Sequence, residues 1–187
     1  MHDLNNNWTV WMHMPNDIDW SINSYKKIYN FKTLEECILF IENINKEIVE
    51  KCMLFIMKDN IKPIWEDNYN KKGGSFSYKI NIDNIYNIWK KLVYLLIGNT
   101  LSNNIELLKN INGISISPKK NFCIIKFWLG NINNLSKNVI YDKYIKNAID
   151  KNSNNSDSDS NNDPFDLDNI LDIGKCNCIF KLHNILY

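Results

Sequence analysis

The stretch Trp8-Thr-Val-Trp-Met-His-Met14 decides how the rest of the chain is read. Trp8, Val10, Met12 and Met14 fall on one side and Trp11 on the other, the period-two pattern of a strand. Pro15-Asn-Asp17 ends the run, and Trp20 follows in a polar, loop-like segment. Tyr25 to Phe31 predicts a second strand.

Outward from there, strands and helices alternate with clear punctuation. Thr33-Leu-Glu-Glu36 has the form of a capping box, in which the Thr hydroxyl and Glu36 satisfy helix-start amides reciprocally. The apolar stripe Leu34, Cys37, Ile38, Ile41, Ile44 and Ile48 predicts one helix behind it. Cys52 to Met57 reads as a buried strand, and Ser75 to Asn81 as another. Between them, residues 58–74 form a polar stretch too long for a simple hairpin turn, and long ordered loops are often functional. Asp83 is placed to cap a second helix with the stripe Ile85, Ile88, Trp89, Leu92, Leu95 and Leu96, ending at Gly98. Gly113 to Ser117 and Phe122 to Leu129 form a hairpin around Pro118-Lys-Lys-Asn121. A third helix is expected over about 134–149, and Cys176 to Leu182 returns as a strand. Strands outnumber helices and hairpins dominate, which predicts an antiparallel sheet with helices on one face.

Composition narrows the class. The 187 residues, 44% hydrophobic, read as a single domain over 1–187 with a sizeable core. Asn152 to Asp163 is a Ser/Asn/Asp tract too polar to pack and is expected to be a disordered insertion. No apolar run approaches the roughly 20 residues of a membrane span, and the N-terminus lacks a charged-then-apolar signal pattern. Five scattered cysteines, an odd number, suit reduced thiols in cytosol or nucleus better than a disulfide framework. There is no arginine, so all 22 basic residues are lysines and any anion site must use ammonium point charges. Residues 150–172 hold seven Asp and one Lys, a net −6, so a total of +1 leaves +7 on the rest. A basic body of this kind suits a phosphate-bearing partner.

Catalytic patterns are missing. His2, His13 and His183 stand far apart in the chain, Cys176-x-Cys178 has no second ligand pair, and Gly73-Gly74 lacks the Lys-Ser/Thr of a phosphate loop. Tryptophan is the unusual feature. Trp20 and Trp65 both occupy polar loop segments, and two readings of them stand side by side: rings tucked onto the sheet as loop anchors, or platforms on which a base stacks. Glu66, directly after Trp65, is a pure acceptor, and guanine presents two adjacent donors on its Watson–Crick edge.

Several motifs together resemble a known family. Asn7-Trp-Thr-Val-Trp11, then Trp20, Phe31-Lys-Thr-Leu-Glu35, Ile61-Lys-Pro-Ile-Trp-Glu-Asp67 and Asn70-Lys-Lys-Gly-Gly74 occur in the order found in the initiation factor 4E family of messenger-RNA cap-binding proteins. Ile88-Trp89, Leu95-Leu-Ile-Gly98 and Phe127-Trp128 continue it, so the similarity spans about residues 2–149. The resemblance implies an α+β fold: a curved antiparallel sheet of about eight strands, with three helices on the convex face and the cap in the concave one. It implies that Trp20 and Trp65 sandwich 7-methylguanine, that Glu66 accepts from the base edge, and that Trp128 contacts the methyl group. For the phosphates, Lys119 falls at the position of a family arginine, the later lysine position reads Ile124, and Lys120 and Lys126 are further candidates.

On the back surface the resemblance implies a groove for a helical motif shared by scaffold factor 4G and repressors, with Leu34 and Ile38 on the first helix. An expected Leu-Glu pair reads Lys90-Lys91 there, and Ser75 and Phe76 replace an Arg and a Trp after the double glycine. The expected function is cap binding in translation initiation, by a cytoplasmic (or also nuclear) monomer that is not an enzyme and needs neither cofactor nor metal. A cap-binding repressor or paralogue without scaffold engagement is the alternative. A nucleotide- or cap-processing enzyme is the third reading.

Overall fold

The computed structural model describes residues 1–135, 165 and 178–183. In chain order they form β1 (Asp3–His13), β2 (Lys26–Thr33), α1 (Leu34–Asn43), α2 (Lys46–Lys51), β3 (Met53–Lys58) and β4 (Gly74–Asn81). Then follow α3 (Ile85–Ile97), α4 (Ile105–Asn110), β5 (Ile111–Pro118), β6 (Phe122–Leu129) and β7 (Cys178–Leu182). The described strands make one seven-stranded sheet in the order β2-β1-β3-β5-β6-β4-β7, antiparallel at every pairing. Register shifts in β1–β2 and β5–β6 add local twist, and the sheet curves.

Strand alternation sorts the side chains into two layers. Trp8 and Val10 of β1, Leu54 and Ile56 of β3, and Ile125 and Phe127 of β6 face the convex side, where Ile41 of α1 and Trp89 and Leu92 of α3 cover them. The opposite parity, Trp11, Phe55, Met57 and Trp128 with Ile61, makes a smaller apolar cluster on the concave side. A one-residue slip in β1 would exchange these two sets, so the register is strongly specified.

The helices follow the expected pattern with three departures. The Thr33 box is present: Glu36 N–H donates to Thr33 Oγ1 at 3.3 Å, and Thr33 N–H donates to Glu36 Oε2 at 3.1 Å. The helix expected to run through Ile48 is broken at Ile44 (ψ 132°), and Asn45 starts a new one by accepting from Glu47 N–H at 2.8 Å. Both halves bury one face in the same core, so their stripes read as one. Asn84, rather than Asp83, stands at the start of α3, and Asp83 instead accepts from the Asn81 amide at 3.0 Å. The six-residue α4 is too short to show a period. It is started by Asn104, which accepts from Leu107 N–H at 3.0 Å. The convex face thus carries α1 and α3 with the shorter α2 and α4, each burying a residue in the main core. Nearly all of the third helix expected at 134–149, and the insertion at 152–163, lie outside the described residues.

Gly73 shows why the paired glycines sit where they do. A Cβ there would meet the carbonyl oxygens of Leu129 and Gly130 at 2.0 and 2.1 Å, so only glycine lets the loop enter β4 against the end of β6. Gly73→Ala is expected to destabilise the fold by about 1–3 kcal/mol, the range for overpacking, read from urea unfolding midpoints. An unchanged midpoint would show that this crossing is loose.

Candidate nucleic-acid interface

The concave face opens into a cleft of about 490 Å³ lined by Trp20, Trp65, Glu66, Trp128, Lys119 and Lys126. Its floor comes from Met53 and Phe55 of β3 and Ser115 and Ser117 of β5, with Tyr25 at one wall. Residues that are up to 108 positions apart in the chain therefore meet in one depression.

Trp20 is delivered by a tightly wound β1–β2 connection. Asp19 accepts from Ser21 N–H at 2.7 Å and Ser21 Oγ–H at 2.8 Å, and Asp17 accepts from Asp19 N–H at 3.0 Å. Those Ser21 bonds hold the Asp19 carboxyl below its ordinary range. The buried His13 ring donates through Nε2 to the Asp19 carbonyl at 2.9 Å and lies parallel to the Trp20 indole, centroids 4.5 Å apart and planes 6° apart. Trp20 is nonetheless 57% exposed.

Trp65 and Glu66 ride on the β3–β4 loop, and that loop is pinned from within. Asn70, fully buried, donates through Nδ2 to the carbonyls of Lys62 and Ile64, both at 2.9 Å. Its Oδ1 accepts from Asn112 Nδ2 at 3.0 Å, and its backbone carbonyl accepts from His183 Nδ1 at 2.8 Å. Asp67 adds two Asx-type bonds, from Lys62 N–H and Tyr69 N–H, at 3.1 and 2.9 Å. Trp65 stays 48% exposed, with the His183 ring parallel to it at 6.0 Å. The Glu66 side chain is exposed and its carboxylate makes no hydrogen bond or ion pair with a described residue, so both oxygens can accept from a ligand. The Trp65 amide likewise donates to no described residue.

Trp128 is the floor rather than a wall. It is buried, its Nε1–H donates to Ser115 Oγ at 3.0 Å, and its edge meets Phe55 and His183. The Tyr25 phenol is pushed up to about 12 by burial, then by the charges of Glu66 and Asp19, so it stays a neutral donor beside the acid. Lys126 is half-buried with Nζ 5.7 Å from the Trp65 ring centroid. Burial holds it below its ordinary value, with Lys181 and Lys119 pushing the same way. Lys120 is exposed at the hairpin turn, outside the cleft lining.

The residues expected in a partner groove lie on the opposite, helical side. Leu34 and Ile38 are partly exposed on α1, joined by the more exposed Leu39. Lys90 is half-buried and ion-paired with Glu42, which also accepts from the Tyr94 hydroxyl at 2.5 Å, while Lys91 is exposed. Of the cysteines, Cys37, Cys52 and Cys123 are buried free thiols. Cys37 and Cys123 are pushed up to about 12, chiefly by burial. Among the described residues no three metal-ligating side chains cluster, and no helix is long and apolar enough to cross a membrane.

A family model for eukaryotic initiation factor 4E matches residues 3–164. The chain belongs to this family. Among relatives, it is 31% identical over 138 residues to initiation factor 4E-2 of Schizosaccharomyces pombe, covering 71% of this chain and 55% of that one. It is 30% identical over 126 residues to the Saccharomyces cerevisiae factor, covering 64% and 57%. A mimivirus 4E homologue is 42% identical over 62 residues, 33% of this chain and 23% of that protein. The chain thus spans at most about 57% of these relatives' length. Of solved structures, C. elegans eIF4E-3 with the 4E-binding protein Mextli and a cap analog superposes with a TM-score of 0.64 at 20% identity, covering 74% of this chain and 79% of that one. A schistosome eIF4E with m7GpppA and 4E-BP gives 0.60 at 26%, covering 71% and 73%.

Within this 4E fold the supports of the cleft are what motif reading missed. Asn70, Asn112, His13 and His183 touch the two exposed tryptophans or their loops. Asn70 and His13 stood in quoted stretches without being assigned to the cleft, and Asn70's partner His183 lies 113 residues on.

His183 also makes the site acid-sensitive. Its imidazole is pushed down to about 4, mainly by burial; the Asn70 bond opposes this and Lys126 reinforces it. An unfolded histidine titrates near 6.5, so the stability gained from burying the neutral ring is complete above about pH 6.5 and is lost as pH falls toward 4. We expect a loss on the order of 2 kcal/mol by pH 5, before the hydrogen-bonded carboxylates begin to titrate. Melting temperature against pH checks this, and His183→Gln should flatten the slope between pH 6.5 and 5. An equal slope in both proteins would contradict it.

Proposed function

We propose that this chain binds the 7-methylguanosine cap of messenger RNA in the concave cleft and passes the message to translation initiation through a helical-motif partner on its convex helices. The observation that carries this reading is the meeting of Trp20, Trp65 and the unpaired Glu66 in one cleft. Methylation at N7 makes the guanine ring cationic, and two half-exposed indoles offer π-faces that attract it beyond ordinary stacking. Glu66 accepts from the ring N–H and the exocyclic amine, the charge-assisted pair that adenine cannot supply. The free Trp65 amide donates to the base carbonyl, and Trp128 closes the floor against the methyl group. Lys126 and Lys119 take the phosphates. On this reading the chain acts as a binding protein rather than an enzyme. It works as a cytoplasmic monomer.

The convex face keeps a second reading open, a cap-binding repressor without scaffold engagement. Leu34, Ile38 and Leu39 leave apolar surface for a leucine-rich helix. Glu42 already neutralises Lys90, so Lys91 is the exposed ammonium that meets a partner there.

Substitutions in the cleft test cap binding, and one on the helical side separates the two readings. Trp20→Ala and Trp65→Ala should each cost on the order of 1–3 kcal/mol of affinity for cap analogue. Glu66→Ala should cost roughly 1.5–3 kcal/mol and erode guanine-over-adenine selectivity. Quenching of tryptophan fluorescence gives each affinity, and a Trp65→Ala protein that binds as tightly as the parent ends the assignment. On the helical side, Lys91→Glu should strengthen binding of a conventional 4E-binding peptide by less than about 1 kcal/mol, and the gain should shrink with salt. If peptide affinity is unchanged, or no peptide binds, the repressor reading overtakes the initiation-factor one.

A further inference from the structure

The concave face carries more positive charge than the cleft lining alone. β6, β4 and β7 are neighbours in that order, and their register decides which side chains share a face. Ser77 of β4 pairs with Lys126 of β6, while Ser75 pairs with Trp128 of β6 and with Lys181 of β7. Lys126, Trp128 and Lys181 therefore stand on the concave side, opposite Phe76, Phe127 and Phe180 in the core. Two strand spacings and a two-residue offset put the Cα atoms of Lys126 and Lys181 about 12 Å apart, a gap that their two side chains span from either end.

Glu66 is the acid of the adjoining cleft, and none stands on the strands that carry these lysines. β5, β6, β4 and β7 contain no Asp or Glu, and neither Lys119, Lys126 nor Lys181 forms an ion pair with a described residue. Lys126 is half-buried, and like charges from Lys181 and Lys119 act on it. Lys119 and Lys181 are exposed and Lys126 is partly desolvated, so the repulsion and the burial both fall on Lys126 until an anion arrives. Lys126 Nζ also lies 5.7 Å from the Trp65 ring, so the charged lane begins at the wall of the base cleft.

We infer that Lys181 is a further phosphate-binding residue: together with Lys126 it draws the phosphate chain of the bound nucleotide across β4 toward the β7 edge. The ligand class is a polyphosphate, the 5′ end of a capped RNA, and this rests on the cap-binding reading of the adjoining cleft. Sequence motifs did not mark Lys181, because its place beside Lys126 comes only from the pairing of β7 with β4.

The test titrates the full chain with 7-methylguanosine, 7-methyl-GTP and inorganic triphosphate at low and high salt, for the parent, Lys181→Ala and Lys181→Arg. Lys181→Ala should weaken 7-methyl-GTP and triphosphate by about threefold to tenfold at low salt, less at high salt, and leave the nucleoside unaffected. Lys181→Arg should restore most of the loss. Triphosphate and 7-methyl-GTP affinities that do not change in Lys181→Ala overturn the inference, and so does an equal loss for the nucleoside, which marks a structural role. If the parent fails to bind 7-methylguanosine while triphosphate binding still depends on Lys181, the cap reading falls and the phosphate lane stands.

Discussion

The two N–H groups of the Asn70 carboxamide hold the loop that carries the site. They donate to the Lys62 and Ile64 carbonyls on either side of Pro63, so the chain immediately before Trp65-Glu66 is fixed by a side chain rather than by a sheet. The remaining acceptors of Asn70 tie that loop to Asn112 near the start of β5 and to His183 just past β7. Burying a carboxamide is costly unless it is satisfied, and here both its donors and its oxygen are engaged. Trp65 can remain half exposed without the loop collapsing over it, because the loop is ordered from beneath.

The sheet makes the second constraint. Each strand presents one parity to the helices and the other to the cleft, so the apolar core and the binding face are built by the same residues in alternation. Trp8 packs among the convex residues and Trp11 among the concave ones, although they stand three residues apart. The same geometry puts the base cleft and the exposed part of α1 on opposite sides of the molecule. Under the proposed function, a capped nucleotide and a helical partner would bind at once, with no shared side chain.

Much of the fold was legible because it depends on local rules. The Trp8–Met14 alternation, the Thr33–Glu36 box and the Pro118–Asn121 hairpin each specify backbone geometry within a few residues. The break at Ile44–Asn45 was hidden because both helical pieces bury the same face, and α4 was hidden because six residues show no period. Trp20, Trp65 and Glu66 stood out as polar-loop oddities, but only the order of the family's motifs set the stacking reading above the loop-anchor one. Structure gives both readings some substance, since each indole lies parallel to a histidine while keeping about half its surface exposed. His13, His183 and Lys181 were not legible as site residues, because their neighbours are set by strand pairing and loop closure across the whole chain.

Recognition of a cationic, methylated guanine by the concave cleft, the proposed function, is read by competitive elution. The full chain bound to a 7-methyl-GTP resin is challenged with equal concentrations of 7-methyl-GTP and unmethylated GTP. Phosphate contacts and the Glu66 edge are common to both ligands, so only the charge on the stacked ring and its methyl group differ. Release is expected with 7-methyl-GTP at concentrations where GTP leaves the protein on the resin. Equal release by the two nucleotides would contradict it.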